Sequence, residues 1–128
     1  MGTLSIEVSH GEVVDKITIL QIKRDKILDR EKLVYVEREL DALRRSWAQC
    51  GVPWPDDEAE ALQAVNLALW DVEDLLRRHE ADDDFGSSFV ARARSVYRLN
   101  DQRAALKRAL NERLGSDLVE IKDYVAYP

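Results

Sequence analysis

A chain of 128 residues that is 45% hydrophobic and 34% charged suits one soluble, helix-rich domain with a core of its own. A net charge of -6 and a pI near 5.0 exclude a general nucleic-acid binder, which needs a basic excess. Cys50 is the only cysteine and cannot form an intrachain disulfide, no uncharged stretch is long enough to cross a bilayer, and Met1–Ser9 does not read as a signal peptide, so the expected location is the cytoplasm.

Residues Thr3–Val8 alternate, with Leu4, Ile6 and Val8 on one side, which predicts an extended arm. Ser9 and Glu12 have capping-box spacing, so a first helix should run from His10 to about Ile27. Its seam is Val13, Ile17, Leu20, Arg24 and Ile27. Ile19 and Ile22 fall on the other face, among Asp15, Lys23 and Lys26, where either a second chain or an overlying tail would cover them. A homo-oligomer through Ile19 and Ile22 is therefore one expectation. Beside the flexible Gly11, His10 is expected to be solvated.

Asp29 is a good N-cap for a second helix whose seam is Leu33, Val36, Leu40, Leu43 and Trp47, and Gly51 suits its left-handed end. Val52-Pro53-Trp54-Pro55 must be a loop, because each proline disfavours helix in the residue before it. Asp56 and Asp57 then favour the N-terminal dipole of a third helix running from about Glu58 to Ala81. Its stripe is Leu62, Val65, Leu69, Val72, Leu76 and His79, and Asn66 and Glu73 flank it toward the core edge. After the acidic turn Asp82–Gly86, Ser87 or Ser88 should cap a fourth helix that ends at Gly115. In the tail, Leu118, Ile121, Tyr124 and Tyr127 have spacing that allows a short helix.

The fourth helix carries the most informative pattern. Its seam reads Phe89, Ala93, Val96, Asn100, Arg103, Lys107, Leu110 and Leu114, apolar at both ends and an amide with two cations between. Such groups sit on a buried face only when they are paired or used. Four amphipathic helices with short links predict an all-α, antiparallel four-helix bundle, residues 1–128, with a short N-terminal arm and a C-terminal tail. Chain order then gathers Glu12, Asp15, Lys16, Arg103, Lys107, Asn111, Glu120, Lys122 and Tyr124 at one end, with Asn66 and Glu73 near Asn100 and Arg103.

Four blocks of the chain resemble a bacterial uncharacterised family, domain of unknown function six-one-six-five. They are Ser9-His10-Gly11-Glu12 with Asp15-Lys16, Thr18-Ile19-Leu20 and Ile22-Lys23; then Asp71, Glu73-Asp74, Arg77 and Glu80; then Ala93–Tyr97, Asn100-Asp101, Arg103-Ala104, Lys107 and Asn111; and last Gly115-Ser116, Glu120, Lys122, Tyr124 and Tyr127. The family pattern has an acid just before the tail lysine, where this chain has Ile121. The resemblance implies a shared fold and a shared polar site, and it supplies no activity.

The residues themselves support two readings of the seam. Arg103 and Lys107 can converge on a phosphate or carboxylate as an anion pocket. Alternatively, Glu73, Glu12 or Asp15 neutralise them as an internal ion network. The ligand-binding candidates are Glu12, Asp15, Lys16, Glu73, Asn100, Arg103, Lys107, Asn111, Lys122 and Tyr124. Glu12-x-x-Asp15 and Asp71-x-x-Asp74 would allow a Mg²⁺-dependent hydrolase of phosphorylated small molecules, similar in outline to all-helical nucleotide pyrophosphohydrolases. Asp15-x-x-Thr18-Ile19-Leu20-x-x-Lys23 is similar to the first helix of helical chorismate mutases, but the rest of that pattern is absent. No histidine pair has metal-ligand spacing with Cys50, and there is no glycine-rich phosphate loop. The expectation is a non-enzymatic binding or assembly module for an anionic small molecule, with no metal or cofactor and with no nucleic acid or membrane partner. The alternatives are the hydrolase, which would need Mg²⁺, and a purely structural protein–protein module.

Overall fold

A computed structural model describes residues 2–128, which form a four-helix bundle with no strand among the described residues. The helices are α1 (His10–Lys26), α2 (Arg30–Cys50), α3 (Asp56–Ala81) and α4 (Ser87–Leu114). No helix is long and apolar enough to cross a membrane.

Local chemistry accounts for most of the boundaries. The Ser9 hydroxyl accepts from the Glu12 amide at 3.1 Å and starts α1. Asp29 accepts from the amides of Glu31 and Lys32 and starts α2, and Gly51 ends it at φ 73°, a backbone conformation that glycine adopts without strain. The acids Asp56, Asp57 and Glu58 occupy the first turn of α3, where the exposed amides and the helix dipole favour negative charge. At α4 the expectation fails. Gly86 is the N-cap and no side chain caps it, while Ser87 and Ser88 lie inside the helix.

α1 is the centre of the bundle. It packs against each of the other three helices, α3 and α4 also pack together, and α2 approaches α1 alone. Seven of its 17 residues are buried, against three of 28 in α4, so α1 has almost no solvent face to spare. The expected seam holds at Ile17 and Leu20, which are buried, and at Val13 and Ile27, which pack half-buried against the core, and it fails at Arg24, which is exposed. Gly11, Val14, Asp15, Thr18 and Ile22 are buried as well. Ile22 is only 4% exposed, so it is core in the isolated chain, and Ile19 is half-buried. These two isoleucines line a cleft with Leu69 and Trp70 of α3. A helix surrounded on three sides buries polar and apolar positions alike, so hydrophobic periodicity finds only part of its buried surface.

Two apolar clusters fill the interior. Val14, Trp47, Ala59, Leu62 and Leu110 form one, and Ile17, Leu20, Val36 and Leu40 form the other. Trp54, from the proline-flanked loop, packs edge-on against Trp47 at 5.3 Å, and His10 packs edge-on against Trp47 at 5.9 Å. His10 is thus half-buried against the core and not a solvated residue.

α3 and α4 form a hairpin. Glu58 at the start of α3 pairs with Arg113 near the end of α4, and this pairing holds the Glu58 carboxyl below its ordinary value. At the other end His79 is buried, with Nε2 2.7 Å from an Arg92 guanidinium nitrogen and Nδ1 3.1 Å from the Asp84 carbonyl. Because Arg92 can only donate, Nε2 accepts, and Nδ1–H donates to Asp84. Residues 2–8 form an arm with no regular secondary structure, with Leu4 and Ile6 exposed. The tail from Ser116 to Pro128 is irregular, with a bend at Asp117, and contains no helix, although its spacing would have allowed one.

Candidate functional site

The polar middle of the bundle is built in two layers. The inner layer centres on Asp15, which is fully buried in α1. Arg103 of α4 grips it with two hydrogen bonds, Nε to Oδ1 at 2.9 Å and Nη2 to Oδ2 at 2.5 Å. Asn66 of α3 donates from Nδ2 to Asp15 Oδ1 at 2.8 Å and to the Thr18 hydroxyl at 3.0 Å. Thr18 in turn donates to the Asp15 carbonyl at 2.7 Å. Three helices therefore meet on one carboxylate. The hydrogen bonding to Asp15 outweighs burial and raises the Arg103 guanidinium above its ordinary value. A buried charge is tolerated when it is paired and hydrogen-bonded in this way.

The outer layer centres on Lys107, one turn along α4 and also buried. Its ammonium lies 2.7 Å from Glu12 Oε2 and 2.8 Å from Glu120 Oε2. Burial pulls the Lys107 ammonium down, but the hydrogen bonds to Glu12 and Glu120 outweigh it and the net shift is upward. The second oxygen of Glu120 lies 2.9 Å from Lys122 Nζ, so one tail carboxylate bridges two ammonium groups. Lys107 and then Lys122 hold the Glu120 carboxyl at about 2, well below its ordinary 4.5.

Gly11 lets these layers form. Its amide donates to Asn111 Oδ1 at 2.6 Å, and a Cβ at this position would meet the Lys107 carbonyl oxygen at 2.7 Å. α1 and α4 approach so closely here that only glycine fits. Gly11 has no positive φ, so the fold uses its small size and not its flexibility.

The tail lies along α4 as a strap. Among the described residues, its last backbone–backbone hydrogen bond is made by the Ser116 amide. Beyond that, side chains hold it: the two lysines on Glu120, a Tyr127 hydroxyl that donates to Asp101, and Arg98 stacked 5.2 Å over the Tyr127 ring. Three clefts run between strap and helix. One of about 250 Å³ is polar, lined by Glu12, Asn100, Arg103, Lys107, Glu120 and Lys122. A second of about 460 Å³ is lined mainly by Val96, Tyr97, Tyr124, Val125 and Tyr127. A third of about 410 Å³ is floored by Ala104, Ala105 and Ala109. Lys122 lines all three.

The family model described as a family of unknown function, DUF6165, matches residues 4–127. The chain belongs to DUF6165. No curated protein and no solved structure matches this DUF6165 chain.

The candidate residues of this DUF6165 protein sort into three groups. Glu12, Lys107 and Lys122 meet directly or through Glu120, and Asn100 and Tyr124 line the adjoining clefts. Asp15 and Arg103 meet each other in the inner layer, and Asn111 fastens α1 to α4 while lining the third cleft. Lys16 and Glu73 pair with neither seam cation, and both are exposed. Glu73 nevertheless lines a cleft with Asn66, Asn100 and Arg103, the neighbours that chain order gave it. Asp71 and Asp74 are exposed, Asp74 pairs with Arg78, and no cluster of three potential metal-ligating acids, histidines or cysteines forms among the described residues. Tyr97 and Tyr127 line the larger cleft and were not among the candidates. Their places in the family blocks and their spacing from Asn100 and Tyr124 were the signals, and these become meaningful once the strap is known to lie on α4.

Proposed function

We propose that this protein is a non-enzymatic binding module that holds an anionic small molecule in the groove between α4 and the tail strap. The observation that carries this is the Lys107 ammonium, buried yet held by a carboxylate on an exposed, side-chain-anchored strap. An internal carboxylate on a displaceable segment marks a seat that an external anion can take. Arg103 has a different role. Its bidentate partner Asp15 is fully buried and hydrogen-bonded to a third helix, so this pair is architecture that fixes helix register.

A thermal-shift panel of carboxylates, sugar phosphates and nucleotides tests the reading. An occupant at a hundred times its dissociation constant adds about 2.7 kcal/mol, several degrees for a domain of this size. Lys107→Met should keep the helical circular dichroism and lose the shift. If no anion raises the melting temperature of the parent, the groove is not a binding site and the polar layers are architecture alone.

A further inference from the structure

The charges around the seat define its occupant more narrowly. Glu120 contributes one oxygen to Lys107 and the other to Lys122. With that carboxylate removed, the seat holds two ammonium groups and the Glu12 carboxylate, which stays 2.7 Å from Lys107. Asp15 and Arg103 cancel each other behind it. The seat is then one positive charge in excess, which one carboxylate neutralises. A phosphate dianion would overfill it and be pressed against Glu12 in a partly buried site, where like charges interact strongly.

The neighbouring space defines the rest of the molecule. The polar cleft shares Asn100 and Lys122 with the larger cleft lined by Val96, Tyr97, Tyr124, Val125 and Tyr127. An acid seated between the two lysines thus has an aromatic and aliphatic wall beside it. Tyr97 and Tyr127 already stack edge-to-face at 5.0 Å, while Tyr124 is 70% exposed, with the Lys122 ammonium 5.6 Å from its ring centroid. Tyr124 offers a free aromatic face to a ligand body. The cleft volume, about 460 Å³, falls within the range of small-molecule sites.

We propose that the groove binds a monocarboxylate with an aromatic or apolar body, and that Glu120 on the strap is its built-in competitor. This rests on the anion-binding reading and narrows it. Ligand binding exchanges one carboxylate for another between the same two ammonium groups, and the strap from Glu120 to Tyr127 moves aside or closes over the ligand body. No covalent bond changes.

The test is isothermal titration calorimetry of the full chain with phenylacetate and with inorganic phosphate, on the parent and on Glu120→Gln. Glu120 is on the exposed tail, so this change leaves the helical core intact. The neutral amide no longer competes as an anion. Phenylacetate should bind Glu120→Gln about tenfold tighter than the parent, as expected when the competent state is otherwise a minor one. Phosphate should bind more weakly than phenylacetate to both. Equal or weaker phenylacetate binding to Glu120→Gln would show that Glu120 only fastens the tail. Phosphate binding tighter than phenylacetate, and lost in Lys107→Met, would overturn the monocarboxylate while leaving the anion site standing. If neither anion binds either protein, both the anion site and its occupant are wrong.

Discussion

Gly11 is where a single atom decides how close two helices come. Replacing glycine by alanine inside a helix ordinarily adds up to about 1 kcal/mol of stability. Here the added methyl would meet the Lys107 carbonyl oxygen at 2.7 Å and Asn111 Oδ1 at 2.8 Å, and the carbonyl cannot move without moving α4. Gly11→Ala should therefore destabilise the protein by about 1–3 kcal/mol, the usual cost of overpacking. Urea denaturation measures it, and an unchanged or raised midpoint would mean that α1 and α4 do not meet this closely. At the same scale, Asp15 and Arg103 were both legible as candidates, but their pairing was not. Glu12, Asp15 and Glu73 were equal partners on spacing. Only the rotation of α1 selects Asp15, turning it inward toward α3 and α4 and leaving Glu12 for Lys107.

Among the elements, α4 was legible in full and α1 only in part. All eight seam positions of α4 are buried or half-buried, including Asn100, Arg103 and Lys107. α4 packs on α1 and α3 from one side, which preserves a stripe, while α1 is enclosed and its pattern is blurred. The tail was the least legible element, because it is held by ion pairs and ring contacts that leave no periodicity. Its attachment should depend on acid. The Glu120 carboxyl sits at about 2 on the folded chain and at the ordinary 4.5 when released. A depressed folded value means that the pairing contributes fully above the free value and is lost as pH falls toward the folded one. The ring resonances of Tyr124 should therefore titrate as pH falls from 4.5 to about 2, and stay still in Glu120→Gln. Salt should weaken the same contact, since Glu120 and Lys122 are both exposed. An identical titration in Glu120→Gln would place the acid-sensitive contact elsewhere, with Asp101 under Tyr127 the nearest alternative.

Across the whole molecule, the helix count, the order and most of the termini follow from caps, prolines and glycines that act locally. What the sequence could not supply is the choice of central helix. With 17 residues α1 is the shortest of the four, yet it takes the interior position, and two long helices, α3 and α4, close around its polar side. That choice moves Ile22 from a proposed interface into the core and gives Asp15 its partners. It also separates a rigid body from a movable strap. The inner layer ties three helices to one carboxylate, while the outer layer ties the strap by a bridge that a ligand can copy. Amide NMR of the 128-residue chain titrated with phenylacetate tests this division most directly. Resonances of Asn100, Lys107 and the strap from Glu120 to Tyr127 should shift together, and those of α2 and of the Asp71–Asp74 face should not. Shifts confined to α2 or to that acidic face, with the strap unchanged, would contradict a groove between α4 and the tail.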